Sequence, residues 1–406
     1  MAELLAPAGS MERLRYALRY GADAVYCGGK KLGLRAFADN FDSEELAVAC
    51  REAHSLGKRL YVTVNAFIKN SDLEGLDDYF REICHAGADA VIVSDPAALL
   101  RAKKAAPELE LHISTQANVM NYETCRFYYE LGAKRVILAR ELSLDEIKQI
   151  RDHVPDQLEL EAFVHGAMCV SYSGRCLLSN FLDGREGNRG ECVQPCRWRY
   201  EIREAGKDGL YYPVEQDESG TYILNSNDLM LIEHLGELID AGITSLKIEG
   251  RMKTAFYVAS VVNAYRMALD SLSAGRPFDT RLLDELSKLR HRPYTTGFMF
   301  GRQPAECVSG STYAQTHDFV AAVISYDEIS HTVTVQQRNR FFEGDELEVL
   351  SPGDFSKRVA VKNLRDESGI LQPSAPHPCQ TLVFDCPSPL KPMDVLRRRI
   401  DSSFTE

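Results

Sequence analysis

The first half of the chain alternates short apolar runs with longer amphipathic stretches. Eight runs have the length of β-strands: 4–7, 24–27, 60–65, 90–95, 111–115, 135–140, 158–163 and 245–249. β-Branched residues occur at both odd and even positions of these runs, so they would point to both faces of the sheet. This is expected for the strands of a parallel sheet, which are buried on both faces. Amphipathic segments such as 43–56 and 73–86 separate the runs, and several end in glycine just before the next run. This arrangement is typical of a turn from helix to strand.

Eight strand–helix units predict an α/β fold, a TIM-barrel-like (β/α)8 domain over residues 1–275. A doubly wound open sheet is the competing fold, but no glycine-rich phosphate fingerprint follows the first strand. Apolar residues at helical spacing predict helices over 227–241 and 254–272, on either side of the eighth strand. The long polar stretch at 166–222 is then a Cys-rich insertion after strand 7.

The pattern changes beyond residue 275. A break at 273–277 and a charged helix over 280–290 predict a helical connector at 276–313. From 314 to 406, short alternating strands separated by turns predict a small C-terminal β-barrel domain. The basic tail at 397–399 is typical of a solvated charge run.

Composition narrows the class of protein. The 406 residues are 45% hydrophobic and 26% charged, which indicates a globular chain of two or three domains. No basic segment followed by an apolar run opens the sequence, and no apolar stretch reaches membrane-spanning length, so we expect a cytoplasmic protein without a membrane partner. The odd total of 11 cysteines fits a reducing compartment. A net charge of −12 argues against indiscriminate nucleic-acid binding, but a local basic cleft stays compatible with it.

Four cysteines lie within 28 positions, at Cys169, Cys176, Cys192 and Cys196, with the spacing C-x6-C-x15-C-x3-C. Thiolates gathered in a reducing compartment need a soft metal centre, so the set predicts zinc or an iron–sulfur cluster. The two short C-x2-C pairs common in zinc sites are absent, which favours iron–sulfur. Ordinary core cysteines or a disulfide set are the alternative, and the polar, arginine-rich surroundings argue against it.

In a TIM barrel the chemistry lies where the strands end and the following loops begin. That rule selects Asn65, Gln116, Arg140, His165 and 249–251. Lys247 lies on the same strand face as Glu249, and inward charges in a barrel are costly unless they serve a function. His165 is equally compatible with a packed, hydrogen-bonded residue. The insertion would add a basic cleft from Arg175, Arg185, Arg189, Arg197 and Arg199.

Residues 161–197 resemble the signature of the collagenase-like peptidase family of unassigned catalytic type, the peptidase U family. The resemblance rests on E-x-F-x-x-G-A-M-C at 161–169, G-x-C-x-x-S at 174–179 and G-x-C-x-Q-P-C-R at 190–197. Further matches lie at 5–10, 64–65, 114–116, 247–251 and 295–298, so the resemblance covers nearly the whole chain. It is closest to the family members that make 5-hydroxyuridine at the wobble position of tRNA.

This resemblance implies an oxygen-sensitive [4Fe–4S] cluster on the four cysteines, with zinc as the alternative metal. It also implies hydroxylation without molecular oxygen, with prephenate as the oxygen donor, so that tRNA and prephenate are the expected partners. Some relatives act on ribosomal RNA or on the ubiquinone ring, so these stay open as alternative substrates. Whether a partner protein or a second copy completes the enzyme stays open.

For this chemistry we expect catalytic roles for His165, Tyr172, Glu249 and Arg251. We expect substrate-binding roles for Asn65, Gln116, Arg140, Phe163, Arg175, Arg189, Arg197 and Lys247. Arginine binds a carboxylate bidentately, and prephenate carries two carboxylates. A uridine taken out of its stack would lie on Phe163, Tyr172 or Trp198.

Two other functions stay open at this point. A peptidase needs an activated nucleophile, and Cys169 with His165 is the pair that the sequence offers. A zinc-knuckle RNA-binding or scaffold protein without catalytic activity is the third class. The metal content of the purified protein distinguishes the peptidase and the zinc-knuckle protein from an iron–sulfur enzyme.

Overall fold

A computed structural model describes residues 2–34, 39–169, 171–198, 216–217, 220–221, 227–301 and 314–400. Its strands are β1 Glu3–Pro7, β2 Ala24–Gly28, β3 Arg59–Val64, β4 Ala90–Val93, β5 Glu110–Ile113, β6 Arg135–Ile137, β7 Glu159–Ala167, β8 Gln216–Asp217, β9 Gly220–Thr221, β10 Asp228–Met230, β11 Ser245–Ile248, β12 Tyr294–Thr295, β13 His317–Asp327, β14 Thr332–Gln337, β15 Glu346–Ser351, β16 Asp354–Ala360, β17 Lys362–Asp366, β18 Thr381–Asp385 and β19 Val395–Arg399. Its α-helices are α1 Met11–Arg19, α2 Ser43–Ser55, α3 Leu76–His85, α4 Pro96–Ala105, α5 Tyr122–Leu131, α6 Leu144–His153, α7 Leu178–Asp183, α8 Leu235–Asp240, α9 Ala255–Ser273 and α10 Arg281–Ser287.

Strands β1 to β7 and β11 run parallel and close into a barrel. Strand β11 pairs with β1 on one side and with β7 on the other, so that Ser245 lies opposite both Glu3 and Glu161. All eight strands fall on the apolar runs that the sequence predicts, which confirms the TIM-like barrel.

Side-chain caps set the starts of several barrel helices. The Asp42 carboxylate accepts a hydrogen bond from the Glu45 N–H, and the Glu45 side chain accepts one from the Asp42 N–H, which forms a capping box at α2. Asp95 caps α4 ahead of Pro96, and Thr254 caps α9. These caps fix where each helix leaves the barrel rim.

The barrel sheet carries two additional strands beside the insertion. Strand β10 pairs antiparallel with the end of β7, and β12 pairs with β10. The predicted helix over 227–241 is therefore wrong in its first half, because 228–230 is a strand and the α-helix begins at 235. The strand is held by Asp228, whose buried carboxylate lies 2.6 Å from Arg292 Nη2.

The connector packs against the barrel. Leu282, Leu286 and Leu289 are buried in the same hydrophobic core as the barrel strands. The exact boundary of the domain, predicted at 275, stays a prediction, and residues 302–313 of the connector lie outside the described part.

The C-terminal domain is a seven-stranded antiparallel sheet in the order β16-β15-β19-β13-β14-β18-β17, curved around its own apolar core. The prediction of a solvated basic tail is wrong. Residues 395–399 form the inner strand β19, and Arg397 is fully buried, with Nη2 at 2.7 Å from Glu285 and 3.2 Å from Glu348. Among the described residues, no helix is both long and apolar enough to cross a membrane.

Buried charges fill the N-terminal end of the barrel, which we call the barrel floor. Arg135 is 3% exposed, and its guanidinium lies 2.6 Å from Glu3, 2.6 Å from Glu159 and 3.0 Å from Glu161. Lys247 Nζ approaches the other oxygen of Glu161 at 2.8 Å. Burial by itself would raise the pKa of Glu161, but Lys247 and Arg135 outweigh it and hold that pKa below its usual value.

Replacing Arg135 with Met should strongly destabilise the barrel, because Glu161 and Glu3 would lose a buried partner. Breaking a buried ion pair in this way typically costs about 3–5 kcal/mol. Urea unfolding measures the change. Arg126→Ala, which removes an exposed pair on α5, should change the free energy of unfolding by less than about 1 kcal/mol. Equal effects of the two substitutions would contradict the role of the barrel floor.

Candidate active site at the C-terminal barrel end

A cavity of about 170 Å³ lies between the C-terminal ends of the barrel strands and the Cys-rich insertion. The predicted site residues on its wall are Asn65, Gln116, Arg140, Phe163, Cys169, Tyr172, Cys176, Cys192, Cys196, Arg197, Lys247, Glu249 and Arg251. Three predicted residues, His165, Arg175 and Arg189, do not line it. Closure of the barrel thus brings together residues from positions 65 to 251.

The inner end of the cavity is cationic and aromatic. Lys247 Nζ lies 4.5 Å from the ring centroid of Tyr26 and 5.5 Å from that of Phe163. Its ion pair with Glu161 fixes the ammonium group between these two rings. Cation–π contacts of this kind stabilise a desolvated charge.

Arg140 crosses the cavity wall. The centre of its guanidinium lies 3.8 Å from the centroid of Phe163, and Nη1 donates to the carbonyl of Ala167 at 2.8 Å. Its Nη2 lies 3.4 Å from Glu249 Oε2. Arg140 Nε is buried and has no hydrogen-bond partner among the described residues. An orphaned buried donor is costly, so this guanidinium is suited to binding an anionic ligand.

Arg251 enters the site through a gap left by glycine. Its Nη1 donates to Thr63 Oγ1 at 2.5 Å, and Nη2 donates to Asn40 Oδ1 at 3.3 Å. A Cβ atom at Gly28 would lie 2.7 Å from Arg251 Nη2, so a larger residue there would displace the guanidinium. The absence of a side chain at Gly28 is therefore part of the site.

Asn65 presents an amide to the cavity. Its Nδ2 donates to Ser114 Oγ at 3.1 Å, and the same oxygen accepts a hydrogen bond from the Gln116 N–H at 3.2 Å. Within the described residues, the buried Asn65 Oδ1 has no partner. An unsatisfied buried acceptor of this kind is suited to a ligand donor such as a base N–H.

All four cysteines of the insertion line the cavity, and all four are free thiols. Burial raises the pKa of the Cys196 thiol; the Arg197 guanidinium opposes this shift, and the sulfurs of Cys169, Cys192 and Cys176 add to it. All four cysteines thus lie on one cavity, and their ligation of one metal centre stays a prediction. Among the described residues, no group of three or more His, Cys, Asp or Glu side chains is arranged to hold a metal ion.

The insertion is tied to the loop after β3. The Phe67 N–H donates to the Asn188 carbonyl at 3.0 Å. Arg189 Nη1 lies 2.6 Å from Asp72, and Lys69 Nζ lies 2.7 Å from Glu186. Arg189 therefore holds the insertion in place rather than facing the cavity, which differs from the substrate-binding position expected for it.

His165 also lies away from the cavity. It is buried, its Nδ1 lies 3.3 Å from the Tyr265 hydroxyl, and its ring packs against Tyr257, Tyr265 and Tyr294. Phe163, two residues earlier on β7, lines the cavity, so regular alternation would place His165 inside as well. The pairing of β7 with β11 shifts register between Phe163 and His165, and this irregularity lets the ring face Tyr265 instead. Arg175 is exposed outside the cavity.

Sequence reasoning missed several wall residues. Tyr26, Thr63 and Ser114 line the cavity between the predicted positions. Thr63 lies two residues before Asn65, so strand periodicity places both on the inner face of the barrel and could have identified Thr63. Tyr26 lies two residues before Gly28, which faces Arg251, so the same periodicity could have identified it.

Comparison with known proteins agrees with this architecture. The description "Peptidase family U32" matches residues 9–309, and "Peptidase family U32 C-terminal domain" matches residues 315–397. The chain belongs to peptidase family U32.

Several U32 relatives carry names that refer to RNA. The chain is 40% identical to "tRNA hydroxylation protein P1" of Bacillus subtilis, over 98% of this chain and 94% of the relative. It is 37% identical to "tRNA hydroxylation protein P" of Escherichia coli, over 96% of this chain and 94% of the relative. It is also 37% identical to a 23S rRNA 5-hydroxycytidine synthase of Escherichia coli, over 66% of this chain and 39% of the relative.

The buried position of His165 predicts a specific pH dependence of stability. Burial lowers its pKa to about 3 from an unfolded value of 6.5, so acid protonates the unfolded chain first. The His165 contribution is complete above pH 6.5 and is lost progressively as the pH falls towards 3. At pH 5, which is 1.5 pH units below the unfolded pKa of 6.5, the free energy of unfolding is lower by about 2 kcal/mol, since each unit corresponds to about 1.36 kcal/mol.

Urea unfolding at pH 8 and pH 5 measures this contribution. His165→Gln, which keeps a hydrogen-bonding group beside Tyr265, should reduce the difference in stability between the two pH values by about 2 kcal/mol. His85→Gln, at an exposed position on α3, should leave that difference unchanged. If the stability of wild type and of His165→Gln depends equally on pH, His165 is not a buried histidine that stays neutral in the folded protein.

Proposed function

We propose that this U32 chain hydroxylates RNA and that its substrate is the wobble uridine of tRNA, which it converts to 5-hydroxyuridine without molecular oxygen. The observation that carries the proposal is the joint presence of four free cysteines and four cationic side chains on one cavity wall. The names of relatives at 40% and 37% identity, which refer to tRNA hydroxylation, support the RNA substrate. A cytoplasmic location, where tRNA is modified, fits this function.

We further propose a [4Fe–4S] cluster on Cys169, Cys176, Cys192 and Cys196. The residues fit such a group, because all four are free thiols on the same cavity and none is taken up in a disulfide. Zinc on the same four thiolates is the alternative, and metal analysis distinguishes the two. When bound, the cluster would supply a redox-active centre beside the substrate, since four cysteine ligands leave no iron open to act as a Lewis acid.

The charges on the cavity wall support an anionic co-substrate, for which we propose prephenate. Four cations, Arg140, Arg197, Lys247 and Arg251, line the cavity together with one carboxylate, Glu249, which leaves a net charge of +3 from these side chains. Two carboxylates would find complementary guanidinium groups there, with bidentate geometry available at arginine.

The remaining wall residues suit the base. Hydroxylation at C5 replaces a C–H bond with a C–O bond, which oxidises the nucleobase by two electrons. Prephenate, as the oxygen donor, would keep these two electrons when its own C–O bond breaks, and a general base must accept the proton released from C5. Glu249 is the carboxylate on the cavity wall, with Arg140 Nη2 at 3.4 Å, and is the group placed to accept this proton. Tyr172 is half-exposed at the cavity edge, where its ring can stack on a flipped base. Asn65 and Gln116 supply amides for the base edge.

A peptidase function is less consistent with the geometry. The nucleophile–base pair that the sequence offers is Cys169 with His165, and among the described residues His165 bonds to Tyr265 instead. Its buried ring has a pKa lowered to about 3, so it would be a poor base at neutral pH. Ribosomal RNA or a quinone ring would be alternative substrates for the same cavity.

Iron and sulfide content tests the cluster directly. Protein purified without oxygen should contain about four iron and four sulfide per chain. Serine at 169, 176, 192 or 196 should remove most of both, because each thiolate is a ligand. Cys379→Ser, at an exposed position in the C-terminal domain, should keep the wild-type content. Zinc-loaded, colourless wild-type protein would overturn the proposal.

Hydroxylation of tRNA tests the substrate and the oxygen donor together. Anaerobic reaction with unmodified tRNA and prephenate should yield 5-hydroxyuridine by nucleoside mass spectrometry, and omission of prephenate should abolish it. Arg140→Met should raise the KM for prephenate by about 10- to 100-fold, since a hydrogen bond to a charged group is worth about 1.5–3 kcal/mol.

The matched control is Arg358→Met, whose guanidinium is exposed on the C-terminal domain, and its KM should equal that of wild type. If ribosomal RNA but not tRNA gives a hydroxylated product, the proposed tRNA substrate is wrong and the proposed hydroxylation reaction stands. Unchanged KM values in Arg140→Met would remove Arg140 from prephenate binding.

A further inference from the structure

Large apolar side chains are exposed on and around the Cys-rich insertion. The exposed fractions are 37% for Phe67, 49% for Tyr172, 58% for Leu177, 78% for Phe181, 50% for Leu182 and 39% for Trp198. We call these six residues the rim surface. Exposed apolar groups that cluster in this way, rather than scatter singly, indicate a binding surface.

The rim surface continues from the cavity wall. Leu178 lines the cavity, and Phe181 and Leu182 follow it by three and four positions on α7. Residues at this spacing share one face of a helix, so α7 carries the surface outwards from the cavity. Tyr172 belongs to both the cavity wall and the rim surface, since it lines the cavity and is half-exposed.

The surface is held in position by the same contacts that dock the insertion. The backbone N–H of Phe67 bonds to the Asn188 carbonyl, and the tip of its ring lies 3.4 Å from where a Cβ of Gly174 would be. Helix α7 packs against the turn at Pro195–Arg197, immediately before Trp198. The aromatic side chains are thus presented from fixed backbone, which lowers the entropic cost of binding.

Charge distinguishes this part of the chain from the rest. Residues 171–198 contain four arginines and three acidic residues, a net charge of +1, whereas the whole chain carries −12. Arg175 lies between Tyr172 and Leu177 in sequence, is exposed, and forms no ion pair among the described residues. An exposed arginine beside aromatic rings suits phosphates and bases better than an apolar protein partner.

We propose that the rim surface binds the unpaired bases of an RNA loop by stacking, with Arg175 contacting a phosphate. This inference rests on the proposed RNA hydroxylation. Single-stranded loops are recognised by stacking splayed bases on aromatic side chains, and a base that enters the cavity must leave its own stack. Phe181, the most exposed of the aromatic residues here, is the principal stacking residue, and the rim delivers the target base to the cavity.

Binding of a fluorescent anticodon stem–loop RNA to the full-length protein, measured by anisotropy, tests the surface. Phe181→Ala should bind roughly 5- to 100-fold more weakly, the range expected for the loss of one stacked base. Phe181→Trp keeps a π-face and should bind like wild type, whereas Phe181→Leu keeps an apolar side chain without one and should bind as weakly as Phe181→Ala. Ile329→Ser, at a 94% exposed position in the C-terminal domain, is the matched control and should bind like wild type.

The salt dependence of RNA binding tests whether Arg175 contacts a phosphate, independently of base stacking. Arg175→Ala should reduce the slope of log K against log salt by about 1, as expected for one lost phosphate contact. An unchanged slope would remove Arg175 from the interface. Circular dichroism of each variant checks folding, which exposed positions should not disturb.

The outcomes distinguish the surface from the proposed function. Failure of wild type to bind the anticodon stem–loop would overturn tRNA as the substrate, and with it the proposed function as stated. Tight binding by wild type, Phe181→Ala and Phe181→Leu alike would overturn the rim surface and leave the function intact. A change in oligomeric state by light scattering, with RNA affinity unchanged, would show that the surface binds protein, and would also overturn the inference.

Discussion

The buried charges of the barrel floor determine how the rest of the site is built. Glu161 lies at the centre, 2.8 Å from Lys247 and 3.0 Å from Arg135, with no exposure to solvent. Arg135 also pairs with Glu3 and Glu159, but Lys247 depends on Glu161, because an unpaired buried charge is far more costly than an ion pair. By holding Lys247 between Tyr26 and Phe163, Glu161 gives the cavity above a cationic inner end.

The insertion supplies the opposite wall of the cavity. Strand β7 continues to Ala167, and Gly166 turns the chain with φ +109°, where a Cβ atom would lie 2.7 Å from the Glu249 carbonyl. The pairs Arg189–Asp72 and Phe67–Asn188 then fasten the insertion over the barrel. Thiols and barrel cations therefore face the same space although they come from separate parts of the sequence. The C-terminal domain contributes none of the described wall residues.

This two-part construction explains how one cavity can combine two kinds of chemistry. The rigid barrel fixes Arg140, Arg251 and Lys247 at strand ends, where charge can be held against aromatic rings and backbone carbonyls. The loop-rich insertion can place soft thiolates and exposed aromatic residues without disturbing the sheet. In our proposal the barrel binds the anionic co-substrate and the insertion presents both the cluster and the RNA loop, so that the two reactants meet between them.

The sequence alone determined the eight barrel strands, because apolar runs and helix caps act over a few residues and can be recognised locally. It also predicted one site from the four cysteines and the residues at the strand ends, since barrel closure brings all strand ends together, and most of these residues line one cavity. Tertiary structure alone decided which polar groups pair. His165 turned towards Tyr265, Arg189 found Asp72, and Arg397 became part of an inner strand. The choice of partner depends on distances across the fold, and periodicity along the chain reports burial but not the identity of a distant neighbour.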